Sequence, residues 1–276
     1  MILPKIVVPK LSEDISQAKN IDGFIQDKLE IQLMQTDMST YPITFRKWVS
    51  AYPRIKTYIL HIPFLFVSIA SINSSRKLRE EFDEFVANMI KESFFLNKEI
   101  YILFHIDIKT EILEKTGAIN YIEHLIRMVE NTNVSFLGEN SIFTLENRAK
   151  DGGPFYQVVK RINSNKLRCC FDICHSTVNQ LMFGKDYDLA ADIGKYTKSI
   201  HFSSTLNNDG WRDKKTHGRA HKNKGTLIAD LLFLEEKGFD LENTFLVTEI
   251  NEEDYNNRPD LLKELTNIKE IKEGIF

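Results

Sequence analysis

The residues best suited to chemistry stand at the ends of apolar segments of the sequence. One segment reads Cys169-Cys170-Phe171-Asp172-Ile173-Cys174-His175. A buried strand that ends in a carboxylate and then a histidine delivers an oxygen and a nitrogen ligand to one edge of a sheet, where a divalent cation can bind. Taken alone, the segment is better explained by an ordinary strand end, in which Asp172 caps the next turn and His175 is solvated.

The same residue types recur at the ends of other apolar segments, namely His61, His105, Glu146, Asp172 with His175, His201 and Glu249. Four of the seven histidines belong to this set, while His217 and His221 share one loop and His124 falls on a predicted helix. Each member alone is explained as a core histidine or a surface carboxylate. A shared site explains the set better, because randomly placed histidines would not collect at successive segment ends. Imidazole with carboxylate suits zinc, manganese or iron.

The elements that must position these residues alternate along the chain. The candidate strands are near-continuous apolar runs, as expected when helices cover both faces of a sheet. They are Ile6–Val8, Leu29–Met34, Thr57–Ile62, Glu99–Ile106, Ile142–Glu146, Leu167–Ile173, Ser199–Phe202 and Thr244–Ile250. The amphipathic segments between them are Phe45–Ala51, Arg76–Leu96 behind a Ser74-Ser75 cap, Ile119–Glu130, Pro154–Ile162, Leu189–Tyr196, Leu227–Lys237 and Pro259–Glu273.

This alternation predicts an α/β protein with a single (β/α)8 TIM barrel over residues 1–276, whose chemistry lies at the carboxyl ends of the strands. An open doubly wound sheet is the alternative. Residues 9–28 are hard to assign, and Val134–Ser141 is a candidate for an extra short strand.

Composition narrows the class of protein. The chain has 276 residues, 42% of them hydrophobic and 27% charged, with a net charge of −3, which argues against broad nonspecific binding to nucleic acid or anionic membranes. The three cysteines lie within six positions, on or directly after one predicted strand, so we expect reduced core thiols and a cytoplasmic protein. The apolar run Phe64–Ala70 is too short to span a membrane.

Five segments resemble the metal-binding motifs of the endonuclease IV (AP endonuclease family 2) group of xylose-isomerase-like TIM barrels. They are Leu60-His61-Ile62-Pro63-Phe64-Leu65, Leu145-Glu146-Asn147, Phe171-Asp172-Ile173-Cys174-His175, Ile200-His201-Phe202 and His221-Lys222-Asn223-Lys224-Gly225. The resemblance covers about residues 55–250 and implies divalent metal ions, most often zinc, with manganese or iron as alternatives. It implies a first ion on His61, His105 and Glu146, a second on Glu146, Asp172, His201 and Glu249, and a third on His175 and His221.

Two positions depart from the family pattern. Arg219 stands where the family has an aspartate, two residues before the histidine matched to His221, and Ser203-Ser204 replaces an Asn-Asp pair. We therefore expect two or three ions, with the third site empty or weakly filled unless Asp213 or His217 substitutes. The family's DNA-inserting loop has no clear match at Met34–Ser39, so specificity for abasic DNA rests on the resemblance alone.

The resemblance implies a metal-dependent phosphodiester hydrolase of the abasic-site DNA-repair type. Two cations about 3.5–4 Å apart that share a carboxylate hold a hydroxide and stabilise both oxygens of the displacement. We expect Glu146 to bridge them and Glu249 to act with it in catalysis. The loop from Arg212 to Lys224 carries six basic residues against Asp213, which suits a phosphate-bearing substrate, DNA included. The expected contacts are Arg212, His217, Arg219 and Lys222. The sequence indicates no protein partner.

A sugar or polyol isomerase or epimerase of the same superfamily is the second hypothesis. Such enzymes resemble this chain in holding one metal with four ligands, here Glu146, Asp172, His201 and Glu249, and in having a histidine at the position of His175. The two glutamates would then move a proton next to a carbonyl group. This hypothesis gives His61 and His105 no role, so the sequence favours the hydrolase. A barrel whose site has decayed into a scaffold is a third hypothesis, and it would purify without metal.

Overall fold

The computed structural model describes residues 3–34, 37–62, 68–106, 110–140, 153–177, 190–204, 220–250 and 259–275. Within these residues eight parallel strands pair in chain order, and the first pairs with the last to close a barrel. The strands are β1 Ile6–Ser12, β2 Lys28–Gln32, β3 Thr57–His61, β4 Glu99–His105, β5 Val134–Glu139, β6 Leu167–Asp172, β7 Thr197–Phe202 and β8 Phe245–Thr248. The predicted (β/α)8 barrel is confirmed, and the open sheet is excluded.

Helices lie between the strands. They are α1 Tyr41–Ala51, α2 Ile69–Asn73, α3 Arg76–Leu96, α4 Thr110–Lys115, α5 Ala118–Val129, α6 Gly153–Ile162, α7 described over 173–177, α8 Ile193–Tyr196, α9 Lys224–Glu236 and α10 Pro259–Lys272. Two 3-10 helices cover Ile15–Phe24 and Met38–Thr40. In the part of the chain that the structure describes, none of the helices combines the length and apolar character needed to cross a membrane.

Local signals set the bounds of α3, which has the predicted range. The Ser75 hydroxyl accepts a hydrogen bond from the backbone N–H of Leu78 and so caps the first turn. At the other end Asn97 adopts a left-handed conformation with φ of 50°, which is a common way to end a helix. The helix therefore begins and ends at residues whose side chains suit those positions.

Two strands differ from the prediction by more than two residues. The fifth strand is Val134–Glu139, not Ile142–Glu146, which lies outside the described residues. The first strand does not stop at Val8 but continues through Pro9, where its pairing changes. Residues up to Pro9 align with β8, and those from Lys10 onward align with β2. The unassigned region 9–28 therefore contains the end of β1 and a 3-10 helix.

The barrel interior has an apolar layer below a polar one. The apolar layer is buried and includes Val8, Ile59, Leu103, Leu137, Cys170 and Val247. Two residues further along the same strands stand Lys10, His61, His105, Glu139, Asp172 and Glu249. Because side chains alternate between the two faces of a strand, these polar side chains point into the same interior, one layer nearer the carboxyl ends. The apolar layer thus closes the barrel beneath them.

Candidate metal centre

Four side chains from β5, β6, β7 and the end of β8 converge in the polar layer. Glu139, Asp172, His201 and Glu249 are buried, and one ligand atom from each lies within 4.8 Å of the others. His201 Nδ1 is 2.6 Å from Glu139 Oε1, 2.6 Å from Glu249 Oε2 and 3.7 Å from Asp172 Oδ2. Three carboxylates therefore surround one imidazole nitrogen.

The ligand atoms are arranged as if around a cation. Glu139 Oε1 and Oε2, His105 Nε2 and His201 Nδ1 are buried, and none of them has a hydrogen-bond partner among the described residues. His105 Nε2 lies 2.7 Å from Glu139 Oε2, but the two do not have hydrogen-bond geometry. Buried polar atoms are nearly always hydrogen-bonded, so this set of atoms indicates a place for a ligand. Carboxylate oxygens with imidazole nitrogen fit a divalent ion such as zinc, manganese or iron.

A second group adjoins the first and shares Glu139 with it. His61, His105 and Glu139 also offer ligand atoms within 4.8 Å of one another. His61 Nε2 lies 3.6 Å from Glu139 Oε2, which is longer than the 2.7 Å contact of His105. The ring centroids of His61 and His201 are 5.5 Å apart. The centre thus offers one carboxylate-rich set of ligand atoms and, beside it, a more nitrogen-rich set.

Strands β1 and β2 contribute a buried ion pair that the sequence analysis missed. Glu30 is fully buried, and its Oε2 accepts a hydrogen bond from His201 Nε2 at 3.0 Å. Lys10 Nζ donates to Glu249 Oε1 at 2.6 Å and lies 3.3 Å from Glu30 Oε1. The same ammonium is 2.7 Å from His61 Nδ1. The sequence signal for Glu30 was a charged residue inside the apolar run of β2. Lys10 was missed because the predicted first strand stopped before Pro9, whereas β1 continues beyond it.

The charges in this layer stabilise one another. Burial raises the pKa of Glu30, but the neighbouring His201 and Lys10 outweigh it and lower that pKa to about 2. Burial also raises the pKa of Glu139, yet His201 and His105 hold it well below its usual range. Burial lowers the pKa of Lys10, but Glu249 and Glu30 raise it above its usual value. Lys10 is therefore a charged ammonium at neutral pH and does not act as a free amine nucleophile.

Asn140 joins the ends of β5 and β6 and was also missed. Its side chain donates from Nδ2 to the Asp172 carbonyl at 2.9 Å and accepts at Oδ1 from the Asp172 N–H at 2.7 Å. Its carbonyl accepts from His175 Nδ1 at 2.7 Å. The His175 N–H in turn donates to Asp172 Oδ1 at 2.6 Å. These bonds fix the positions of Asp172 and His175 beside the centre.

No protein-family model matches the sequence, and no curated protein matches it. The fold is a (β/α)8 TIM barrel, similar to that of several solved structures. A D-tagatose 3-epimerase-like protein superposes with a TM-score of 0.61 at 18% identity, covering 97% of each chain. A xylose isomerase domain protein from Planctomyces limnophilus superposes with a TM-score of 0.62 at 14% identity, and the alignment covers 100% of this chain and 98% of that one. A D-allulose 3-epimerase from Methylomonas sp., in complex with D-allulose, superposes with a TM-score of 0.60 at 11% identity. The alignment covers 100% of this chain and 99% of that one. At these identities the likeness is one of fold.

The structure of this barrel brings together most of the side chains that the sequence suggested as metal ligands. His61, His105, Asp172, His201 and Glu249 all reach the polar layer. Glu139, and not Glu146, stands at the end of the fifth strand. His175 stands beside the centre, with its ring centroid 5.6 Å from that of His105.

His221 lies elsewhere, which does not agree with its expected role as a third-metal ligand. Its Nε2 is 2.9 Å from Asp230 Oδ2, and its Nδ1 is hydrogen-bonded to Glu264 of α10. Its ring stacks on Phe202 with centroids 4.9 Å apart. Both nitrogens are thus engaged by carboxylates of the outer helices. Lys222 is exposed before α9, and the remaining predicted positions, Glu146, Arg212, Asp213, His217 and Arg219, lie outside the described residues.

Proposed function

We propose that the protein is a divalent-metal-dependent isomerase or epimerase acting on a sugar or polyol-type hydroxy-carbonyl compound. The observation that carries this proposal is the convergence of Glu139, Asp172, His201 and Glu249 from four successive strands on one point. Two of the four are glutamates, which suits proton transfer at a carbon next to a carbonyl group. The likeness in fold to two proteins of the sugar 3-epimerase type supports the proposal.

A cation held by these four residues would polarise the carbonyl and hydroxyl oxygens of the substrate and so acidify the adjacent carbon. One glutamate carboxylate, Glu139 or Glu249, removes the proton from that carbon. Return of that proton to the neighbouring carbon isomerises the substrate, whereas a solvent proton delivered to the opposite face through the other glutamate inverts the carbon. His175, held through its Nδ1 by the Asn140 carbonyl, would contact a substrate hydroxyl beside the cation. The apolar layer below excludes water from the reacting carbon.

A phosphodiester hydrolase resembling endonuclease IV, with zinc and a phosphate-bearing substrate such as DNA, is the second candidate. The group formed by His61, His105 and Glu139 favours it. A carboxylate shared by two neighbouring cations is the arrangement needed to hold an attacking hydroxide. The predicted basic contacts for phosphate, apart from the exposed Lys222, lie outside the described residues.

Solvent-deuterium exchange separates these functions. Protein loaded with Mn2+, Co2+ or Zn2+ is incubated in D2O with a panel of ketohexoses and pentuloses, and carbon-bound deuterium is measured by NMR. We expect incorporation next to the carbonyl group, lost in Glu249→Gln and retained in the control Glu236→Gln, whose residue is exposed on α9. Cleavage of bis-p-nitrophenyl phosphate or an abasic-site oligonucleotide, with no exchange into any sugar, would instead establish the hydrolase.

A further inference from the structure

The contact between Lys10 and His61 determines which nitrogen of His61 carries a proton. Lys10 Nζ lies 2.7 Å from His61 Nδ1. An ammonium group has donors and no acceptor, so Nδ1 must be the acceptor in this contact. An imidazole whose Nδ1 accepts carries its proton on Nε2. A protonated Nε2 donates hydrogen bonds and does not coordinate a cation.

Neighbouring side chains hold Lys10 in this position. Its ammonium donates to Glu249 Oε1 at 2.6 Å and is 3.3 Å from Glu30 Oε1. Lys10 and Glu30 are paired in register across β1 and β2, and both are buried. Glu30 Oε1 is also 3.3 Å from His61 Nδ1, but Lys10 makes the shorter contact with that nitrogen. The ammonium is therefore the partner of Nδ1.

His201 has the opposite arrangement. Its Nε2 donates to Glu30 Oε2 at 3.0 Å, so Nδ1 is the nitrogen whose proton a bound cation would replace. That atom faces Glu139 and Glu249, each at 2.6 Å. A carboxylate behind a histidine is a common device for orienting a metal ligand. Lys10 and Glu30 thus give the two histidines different roles, since His201 is prepared to bind a cation and His61 is prepared to donate a hydrogen bond.

We propose that Lys10 and Glu30 are positioning residues that limit the centre to one divalent cation, bound by Glu139, Asp172, His201 and Glu249. In this arrangement Nε2 of His61 is a hydrogen-bond donor, to Glu139 or to a substrate oxygen. The fixed charge of Lys10 also opposes a second cation nearby. The inference concerns the number of cations and does not depend on the proposed substrate.

The test counts cations in Lys10→Met, which removes the ammonium and keeps an apolar stem. Co2+ per chain is measured by elemental analysis and by calorimetric titration. We expect one Co2+ per chain in the wild type and in the control Lys19→Met, because Lys19 is exposed. We expect two in Lys10→Met, because His61 Nδ1 is then able to donate to Glu30 and Nε2 becomes a ligand. The double variant Lys10→Met/His61→Gln should return to one.

Two measurements keep the proposal testable if Lys10→Met does not fold. In the wild type, long-range 1H–15N NMR should show His61 protonated at Nε2 and not at Nδ1. His61→Gln should still bind one cation. Two cations in the wild type that fall to one in His61→Gln, or a single cation in folded Lys10→Met, would overturn the proposal.

Discussion

Two groups of buried histidine and carboxylate side chains in this molecule look alike in composition and differ in how their hydrogen bonds are completed. In the outer group, each ring nitrogen of His221 has one carboxylate partner, Glu264 for Nδ1 and Asp230 for Nε2. In the centre, Nδ1 of His201 has two carboxylates at 2.6 Å and, among the described residues, no hydrogen bond. A paired histidine stabilises a fold, whereas converging atoms without hydrogen bonds indicate a place for a cation.

The protonation of His201 and of His221 differs in the same way. Burial lowers the pKa of His201, but the surrounding Cys170, Glu139 and Glu30 raise it well above its usual value. A proton there stands where a cation would bind. Burial also lowers the pKa of His221, but its hydrogen bonds to Asp230 and Glu264 raise it to about 9. The proton on His221 takes part in hydrogen bonds that stabilise the fold.

The largest effect should come from Glu139→Gln, which removes a carboxylate shared by both ligand groups of the centre. We expect Co2+ affinity to fall by more than about a hundredfold, since losing an outer contact alone costs up to that much. Calorimetric titration measures the affinity. Glu264→Gln is the matched change in the outer group and should leave affinity unchanged. Equal losses in the two variants would remove the distinction between the groups.

The next effect concerns stability and pH at His221. Its folded pKa of about 9 exceeds the ordinary value of about 6.5, so protonation stabilises the fold. The contribution, about 3 kcal/mol in the free energy of unfolding, is complete below about pH 6.5 and lost as pH rises through about 9. Urea unfolding in the presence of chelator at pH 6, 8 and 9.5 measures it. His221→Gln should lack this component of the pH dependence, and a wild type with the same profile as the variant would contradict the assignment.

The smallest effect is expected for Glu30→Gln, which changes the residue behind His201. Affinity for Co2+ should fall by about 10- to 100-fold, because His201 is less firmly held with Nδ1 toward the carboxylates. Glu92→Gln is the control, since Glu92 is a buried carboxylate of α3 that pairs with Arg46. An affinity equal to that of the control would show that Glu30 does not orient the ligand.

The sequence was sufficient for the barrel because apolar periodicity and caps are local. Ser75 and Asn97 suit the two ends of α3, so its range could be read from the chain. His61, His105 and Asp172 could be located because each ends a strand.

The rest of the site depends on tertiary pairing. Glu139 and Glu146 each precede an asparagine, and nothing local distinguishes the two positions. Only the tertiary pairing identifies Glu139 as the site residue, because it aligns with His105 across β4 and β5. In the same way, the role of His221 depends on Glu264, which is 43 residues further along the chain.

The closure of the barrel determines when the centre can form. Lys10 and Glu249 are 239 positions apart, and a ribosome adds that many residues in roughly 10 to 50 s. Until β8 has been made, the strands that carry Glu139, Asp172 and His201 have no fourth ligand, and Lys10 has no Glu249 to hold it. The four-ligand set therefore exists only after nearly all of the described chain has been synthesised. A cation that needs all four ligands could therefore load only late in the maturation of this protein.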